Sequence, residues 1–294
     1  MWSREILSPA KINLHLDVAP PVDSGFHPLR SLFVMVSLYD RIRVDERPDG
    51  CEIQSNCDFP TEQNILYKTW QLCRERGFYE GGLFIELEKN IPSGAGLGGG
   101  SGNCASLLRL LKEKSPEVKS DEEWRNLAAE LGSDVPFFMD SVAAVVTGRG
   151  EFIQPLTPRS DYHVLIVYPD LSLSTPSAFR ALDSYRDREG IDFNWGLDTR
   201  IIDDLYKGKA PREWPFFNSF SDPTYKDHPQ LAMIEENLLT RGAEFVTLSG
   251  SGSAMTGIFT DKICLEGALN HLKSKFPNTY AVAPLEIIPY GIVI

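Results

Sequence analysis

The 294 residues, 42% hydrophobic and 11% aromatic, hold enough apolar material for one large or two moderate cores. A formal net charge of −12 argues against general binding to nucleic acid or an anionic membrane and leaves open an anionic small substrate held by local cations. Five cysteines without a CxxC pair exclude a disulfide framework, no apolar run reaches the ~18 residues of a membrane span, and the N-terminus lacks a signal-peptide hydrophobic region, so a soluble cytoplasmic protein is expected.

Residues 5–18 mix apolar and polar side chains as short strands do. Lys11 and Asn13, two apart, then face one side of a strand. Asp23-Ser24-Gly25-Phe26-His27-Pro28 is a turn followed by an aromatic and an imidazole. Residues 31–38 form an apolar run and residues 40–45 alternate, which predicts consecutive strands of one sheet. Asn64 to Gly77 reads as a helix, with Ile65, Leu66, Trp70 and Leu72 on its buried side. Gly82 to Lys89 alternates as a strand.

A glycine-rich stretch follows, Ile91-Pro92-Ser93-Gly94-Ala95-Gly96-Leu97-Gly98-Gly99-Gly100-Ser101-Gly102-Asn103, and then a largely apolar helix from Cys104 to Leu111. Strand, glycine loop and helix start is an arrangement that offers free backbone N–H groups and a helix dipole to an anion, phosphate above all. Three readings compete. The stretch could be a flexible connector. Gly94 to Gly99 matches the G-x-G-x-x-G dinucleotide fingerprint, but the acid ending a second strand about twenty residues on is replaced by a helix-opening Ser120-Asp121-Glu122-Glu123. A nucleoside-triphosphate loop is the third, and it is not a Walker loop, since no Gly-Lys-Ser/Thr follows. In that case the cation comes from elsewhere in the chain.

Ser120 to Leu131 is a helix with a capping box. Gly132 ends it, and Asp134 precedes Val135-Pro136-Phe137 at the start of another. Asp134 is either an ordinary N-cap, worth about 1 kcal/mol, or a catalytic carboxylate held at a helix start. Residues 143–150 form a strand ending in a turn, and Pro155 to Asp161 marks a domain boundary. Beyond it come a strand at 163–169, a helix opening at Ser174-Thr175-Pro176, and a charged, aromatic segment at 186–228 with short helices at most. A helix from 227 to 240, a strand at 245–248 and a second glycine loop, Ser249-Gly250-Ser251-Gly252-Ser253, follow. A returning strand at 256–259, a helix at 261–276 and a strand at 280–287 close the chain. Alternating strands and helices with antiparallel-looking hairpins predict α+β layers.

Four pieces in this order resemble the GHMP kinase superfamily: Pro9-Ala10-Lys11-Ile12-Asn13, the Pro92 to Ser101 loop, Gly132-Ser133-Asp134-Val135-Pro136, and Gly250-Ser251-Gly252-Ser253-Ala254. Ser8 to Leu14, Asp23-x-Gly25-Phe26-His27 and Leu131 to Phe137 are most similar to those members that act on a cytidine-diphosphate-linked methylerythritol. The resemblance runs from residue 8 to about residue 260. It implies a two-domain fold, a ribosomal S5 domain 2-like N-terminal domain (1–157) and a ferredoxin-like C-terminal domain (158–294), with the active site in the cleft between them. It implies ATP and Mg²⁺ as cofactors and phosphorylation of the 2-hydroxyl of the methylerythritol unit, in non-mevalonate isoprenoid precursor synthesis. Another GHMP-type kinase acting on homoserine, mevalonate or a sugar is the alternative, and a nicotinamide oxidoreductase or a non-catalytic nucleotide sensor stands behind it.

By the same resemblance Lys11 and Asp134 are the catalytic pair. Pro92, Ser93, Gly94, Ala95, Gly96, Leu97, Gly98, Gly99, Gly100, Ser101 and Gly102 take ATP, with Ser101 also on the metal. Asn13, Phe26, His27, Thr175, Phe179, Gly250, Ser251 and Gly252 take the substrate, its base stacked between Phe26 and Phe179. The partners implied are the two small molecules, with no nucleic acid or membrane, in a monomer or weak homodimer. Three positions depart from the family pattern: Phe26 replaces a usual Tyr, Gly102 a Ser, and Cys104 an Ala.

Overall fold

The computed structural model describes residues 1–57, 60–115 and 119–289. Strand β1 (Ser3–Val18) runs antiparallel to β2 (Leu29–Arg47) along nearly its whole length. The apolar run and the alternating stretch expected as consecutive strands are therefore one strand of 19 residues. Its pattern changes because its surroundings do. The half from Leu32 to Val36 is buried on both faces, whereas Arg41 and Arg43 face solvent between buried Ile42 and Val44.

Strand β3 (Cys51–Ser55), which the sequence pattern did not show, leads through helix α1 (Ile65–Glu75) to β4 (Gly82–Glu88). β3 and β4 are parallel, and β4 joins the far half of β2. In α1 the Asn64 side chain accepts from the Leu66 N–H, and Leu66, Thr69, Trp70 and Cys73 recur on the buried side. Helices α2 (Gly99–Lys114), α3 (Asp121–Leu131) and α4 (Val135–Asp140) follow. α3 carries the expected capping box of Ser120 and Glu123. Strand β5 (Ala143–Gly148) pairs with the near half of β2, and β6 (Phe152–Pro155) closes that edge.

The second sheet begins with β7 (His163–Val167). Helices α5 (Thr175–Glu189), α6 (Thr199–Gly208), α7 (Ser221–Asp227) and α8 (Pro229–Thr240) lead to β8 (Phe245–Leu248), β9 (Met255–Phe259), α9 (Lys262–Lys273) and β10 (Thr279–Val282). Its four strands are antiparallel in the order β10-β7-β9-β8. The last strand is shorter than expected and ends at Val282.

Three cores set the layers. Helices α1 to α4 cover one face of the first sheet with Leu66, Trp70, Leu107, Trp124 and Phe137. The opposite face, with Ile12, Leu14, Val34 and Val145, packs on Val164, Ile166, Phe245 and Ile258 of the second sheet. Helices α8 and α9 cover the outer face of that sheet. The order is helices, sheet, sheet, helices, an α+β architecture. Alternation along β1 does the sorting: Ile12 and Leu14 enter the core between the sheets, and Lys11 and Asn13 point the other way. The segment 186–228 is more than surface cover. Ile202 and Tyr206 of α6, with Trp214 and Phe216, fill the core between the sheets. No helix among the described residues is long and apolar enough to cross a membrane.

Candidate active site

The first glycine loop joins β4 to α2, and its backbone requires glycine. Gly94, Gly96 and Gly98 have φ of 68°, 80° and 68°, which side-chain-bearing residues rarely adopt. At Gly96 a Cβ would lie 2.0 Å from the Ser249 carbonyl oxygen, so the two glycine loops are in direct contact. Hydrogen bonds join them. The Ala254 N–H donates to the Ala95 carbonyl (3.0 Å) and the Ser249 hydroxyl to the Gly96 carbonyl (3.0 Å). Gly102 lies inside α2 with its Cα pressed on β1, where a Cβ would stand 2.6 Å from the Pro9 carbonyl oxygen. The departure from Ser at 102 is thus steric, and this residue lines neither cavity described below, although it was expected on ATP. Cys104 accepts from the Thr69 hydroxyl in the core at 3.1 Å.

The loop's other anchor is Asp40, fully buried on β2. One carboxylate oxygen accepts from the N–H groups of Asn90 and Ile91 (2.8 Å each), and the other from Lys89 Nζ (2.5 Å). Pro92 to Ser101, with Lys89, Asn64 and Ile65, line a cavity of about 370 Å³ at the start of α2. A second cavity of about 270 Å³ adjoins it and shares Gly96 and Gly98. Its walls include Lys11, Asn13, Phe26, Asp134, Thr175, Phe179, Gly250 and Ser251, brought together from five separate stretches of chain.

Lys11 is 4% exposed. Its Nζ donates to Asn13 Oδ1 at 2.6 Å, lies 3.4 Å from Asp134 Oδ2 and sits 4.4 Å above the Phe33 ring. Asn13 Oδ1 also accepts from the Gly250 N–H (2.8 Å), and its Nδ2 donates to the Ser31 hydroxyl (2.9 Å). Asp134 stands at the N-cap of α4 but its side chain makes no capping hydrogen bond. The ordinary-cap reading fails: the carboxylate turns to Lys11 and the cavity instead.

On the opposite wall, the Thr175 and Ser251 hydroxyls are 3.0 Å apart. The Phe179 ring packs on His27 (centroids 4.7 Å) and edge-on to Phe220 (5.0 Å). His27 Nε2 meets both oxygens of Asp183 at 3.0 Å, one helical turn beyond Phe179. His27 itself does not line the cavity, and neither does Gly252, whose Cα packs near Leu173 and Leu248. The imidazole instead braces the Phe26 turn against α5. Sequence reasoning missed Arg149, Phe220 and Asp183, which carry no local motif, and gave no role to Ser133, which lies beside Asp134 within one. Pairing of β2 with β5 and the position of α5 bring them in.

The cradle fits a nucleoside triphosphate: backbone N–H groups at a helix start, glycines where a Cβ would fill the space, and a buried lysine ammonium beside them. The dinucleotide reading falls, because α2 is followed by α3 and not by a strand ending in an acid. Among the described residues no cluster of three or more His, Cys, Asp or Glu side chains is placed to hold a metal. Mg²⁺ commonly takes only one or two protein oxygens beside phosphate and water, and Ser101, which lines the first cavity, offers one.

Comparison with known proteins gives the class first. Residues 64–148 match the family model described as the GHMP kinases N terminal domain. A homoserine kinase structure from Cytophaga hutchinsonii, 17% identical with a TM-score of 0.72 over 99% of this chain and 97% of that one, shares the fold. A curated 4-diphosphocytidyl-2-C-methyl-D-erythritol kinase from Thermosipho melanesiensis is 40% identical over 86% of this chain and 89% of that protein. A crystal structure of 4-(cytidine 5'-diphospho)-2C-methyl-D-erythritol kinase matches at 33% identity and a TM-score of 0.79, covering 95% and 98% of the two chains. The chain belongs to the 4-diphosphocytidyl-2-C-methyl-D-erythritol kinase family of GHMP kinases.

Proposed function

We propose that this protein uses ATP to phosphorylate the 2-hydroxyl of 4-diphosphocytidyl-2-C-methyl-D-erythritol, in non-mevalonate isoprenoid precursor synthesis. The observation that carries the reading is the pair of cavities meeting at Gly96 and Gly98, with Lys11 and Asp134 beside the junction. The glycine cradle takes the triphosphate of ATP, with Pro92 to Ser101 around it. The aromatic side, Phe26 and Phe179, takes the cytosine, and Asn13, Thr175, Gly250 and Ser251 line the path to the acceptor hydroxyl. Aromatic walls give a reason to prefer this substrate over homoserine or mevalonate, which carry no base to stack.

Phosphoryl transfer is mainly positioning and charge stabilisation. Asp134 orients the acceptor hydroxyl and takes its proton as the O–P bond forms; ADP leaves in line. Lys11, steered by Asn13 and Asp134, sets positive charge against the transferring γ-phosphoryl oxygens. Ser101, on the first turn of α2, would help to hold Mg²⁺, which would supply further charge neutralisation for the phosphates. We read residues 1–157 and 158–294 as the two domains, the second ferredoxin-like, with the cleft between them as the site. The enzyme is then cytoplasmic, a monomer or weak homodimer.

ADP release with the cytidine-diphosphate-linked substrate and Mg²⁺ tests the reading. Lys11→Met and Asp134→Asn should each lower kcat by about 10²–10³-fold, the usual cost of removing one pre-placed charge-stabilising group. A wild type without turnover, or variants with full activity, breaks the assignment.

A further inference from the structure

One buried side chain that lines neither cavity holds three parts of the site at once. Asn218 is 5% exposed and stands just before α7. The backbone on either side of it is fastened to β1: the Leu16 N–H donates to the Phe217 carbonyl and the Ser219 N–H to the Leu16 carbonyl, both at 2.8 Å. The Asn218 side chain reaches the other way. Its Nδ2 donates to the Leu248 carbonyl (2.7 Å) and to the Gly250 carbonyl (2.8 Å), while its Oδ1 accepts from the Phe220 N–H (2.9 Å). Both hydrogens of the amide are thus spent on the second glycine loop. Phe220, held by the oxygen, lines the second cavity and meets Phe179 edge-on.

We infer that Asn218 is a positioning residue for the reaction: it fixes the Gly250 peptide and, through Asn13, the ammonium of Lys11. This rests on the function proposed above. The path is continuous. The Gly250 N–H donates to Asn13 Oδ1 at 2.8 Å, and the same oxygen accepts from Lys11 Nζ at 2.6 Å. The loop has little stiffness of its own, since Gly250 and Gly252 take φ of 56° and 92° and glycine moves freely among such conformations. One planar amide that donates to the carbonyls on both sides of Ser249 sets the separation of those carbonyls, and with it the direction of the Gly250 N–H. No aspartate or serine at position 218 could donate twice. A clamp that only tied the segment to the sheet would need no side chain here, because the backbone of Phe217 and Ser219 already pairs with Leu16.

The test compares Asn218→Asp with Ser219→Ala in the full chain. The aspartate keeps the acceptor towards Phe220 and loses both donors. Its kcat should fall by about 10- to 100-fold, the scale expected when a catalytic group is slightly misplaced, and the Gly250 amide should exchange faster with deuterium. In an Asn13→Ala background the same substitution should cost nothing further, because the path it acts through is already cut. Ser219 Oγ accepts from the Val18 N–H (3.1 Å) and donates to Asp17 Oδ1 (3.3 Å), so Ser219→Ala loosens the same segment without touching the loop. It should lower Tm and leave kcat and Gly250 exchange at wild-type values. Should a carboxylate in this buried position prevent folding, Asn218→Ala carries the same expectations without a charge. Wild-type kcat in a folded Asn218 variant, additive losses in the double variant, or an equal loss of kcat in Ser219→Ala each overturns the inference. If the wild type turns nothing over, the proposed reaction fails, while Gly250 exchange still decides whether Asn218 holds the loop: faster exchange in the variant upholds it and unchanged exchange overturns it.

Discussion

Replacing Gly96 by alanine tests whether the two glycine loops form one mechanical unit. The added methyl would stand 2.0 Å from the Ser249 carbonyl oxygen and 3.2 Å from that of Gly252, on a residue with φ of 80°. The neighbour is backbone, not a flexible side-chain end, so the loops must part. The left-handed backbone alone costs about 1–2 kcal/mol with a Cβ present. Parting the loops also strains two hydrogen bonds, Ala254 to Ala95 and Ser249 to Gly96, each worth about 0.5–1.5 kcal/mol. The sum is about 2–5 kcal/mol, a large share of the ~5–15 kcal/mol that holds a typical protein folded. Urea unfolding should show it as a lower midpoint, and ADP-release kinetics as a raised KM for ATP, since the loop that parts is the cradle. Gly267→Ala is the control. It lies in α9, a Cβ there meets open space, and the exchange should stabilise by about 1 kcal/mol with unchanged kinetics. If Gly96→Ala keeps the wild-type midpoint and KM for ATP, the loops are not coupled and the reasoning is refuted.

Phe179→Ala should raise KM for the cytidine-diphosphate-linked substrate by about 5- to 150-fold, the range for losing one base-stacking aromatic, and leave KM for ATP alone. Equal effects on both would remove the stacking role. Stability should fall with pH because of His15. Burial lowers its pKa from 6.5 to about 4, partly offset by hydrogen bonding to the Phe217 backbone. Between those values the unfolded chain takes up a proton that the folded one refuses, so stability drops as pH falls from 6.5 towards 4, by about 3 kcal/mol in all. Urea midpoints of wild type and His15→Gln, measured across that window, should differ in slope. Parallel curves would show that His15 is not responsible.

What was legible in the sequence was local. The glycine loop, the capping box of α3 and the same-side pairing of Lys11 with Asn13 all follow from spacing over a few residues, and the structure has each of them. Asp134 was ambiguous, since an N-cap and a catalytic carboxylate share a sequence signature. The direction of the side chain separates them. What escaped depends on distant pairing. No local pattern joins His27 to Asp183 across 156 positions, or Asp40 to the N–H groups of Asn90 and Ile91. The continuity of β2 was hidden because hydrophobic patterning reports burial, and β2 passes from a stretch covered on both faces to one with a single solvated face without breaking. Arg149 looked like an ordinary turn residue because only the β2–β5 register brings its hairpin to Phe26.

The absence of a lysine in the glycine loop and the burial of Lys11 on β1 are two sides of one constraint. Gly94, Gly96 and Gly98 all take left-handed backbone, and a Cβ at these positions would meet Ser172 Oγ at 2.6 Å, the Ser249 carbonyl at 2.0 Å and Lys11 Cγ at 2.9 Å. The loop gives up side chains to bring its N–H groups close to phosphate, so the cation must reach in from a neighbour. β1 is that neighbour, because the Lys11 N–H already donates to the Leu97 carbonyl at 2.9 Å. Asn13 then joins the parts: its Oδ1 holds both Lys11 Nζ and the Gly250 N–H, and one Nδ2 hydrogen goes to Ser31. That leaves Asn13 a single hydrogen for a substrate. Its larger contribution is to fix the ammonium relative to both glycine loops, which is why a strand two residues out of register would carry the same side chains and none of the chemistry.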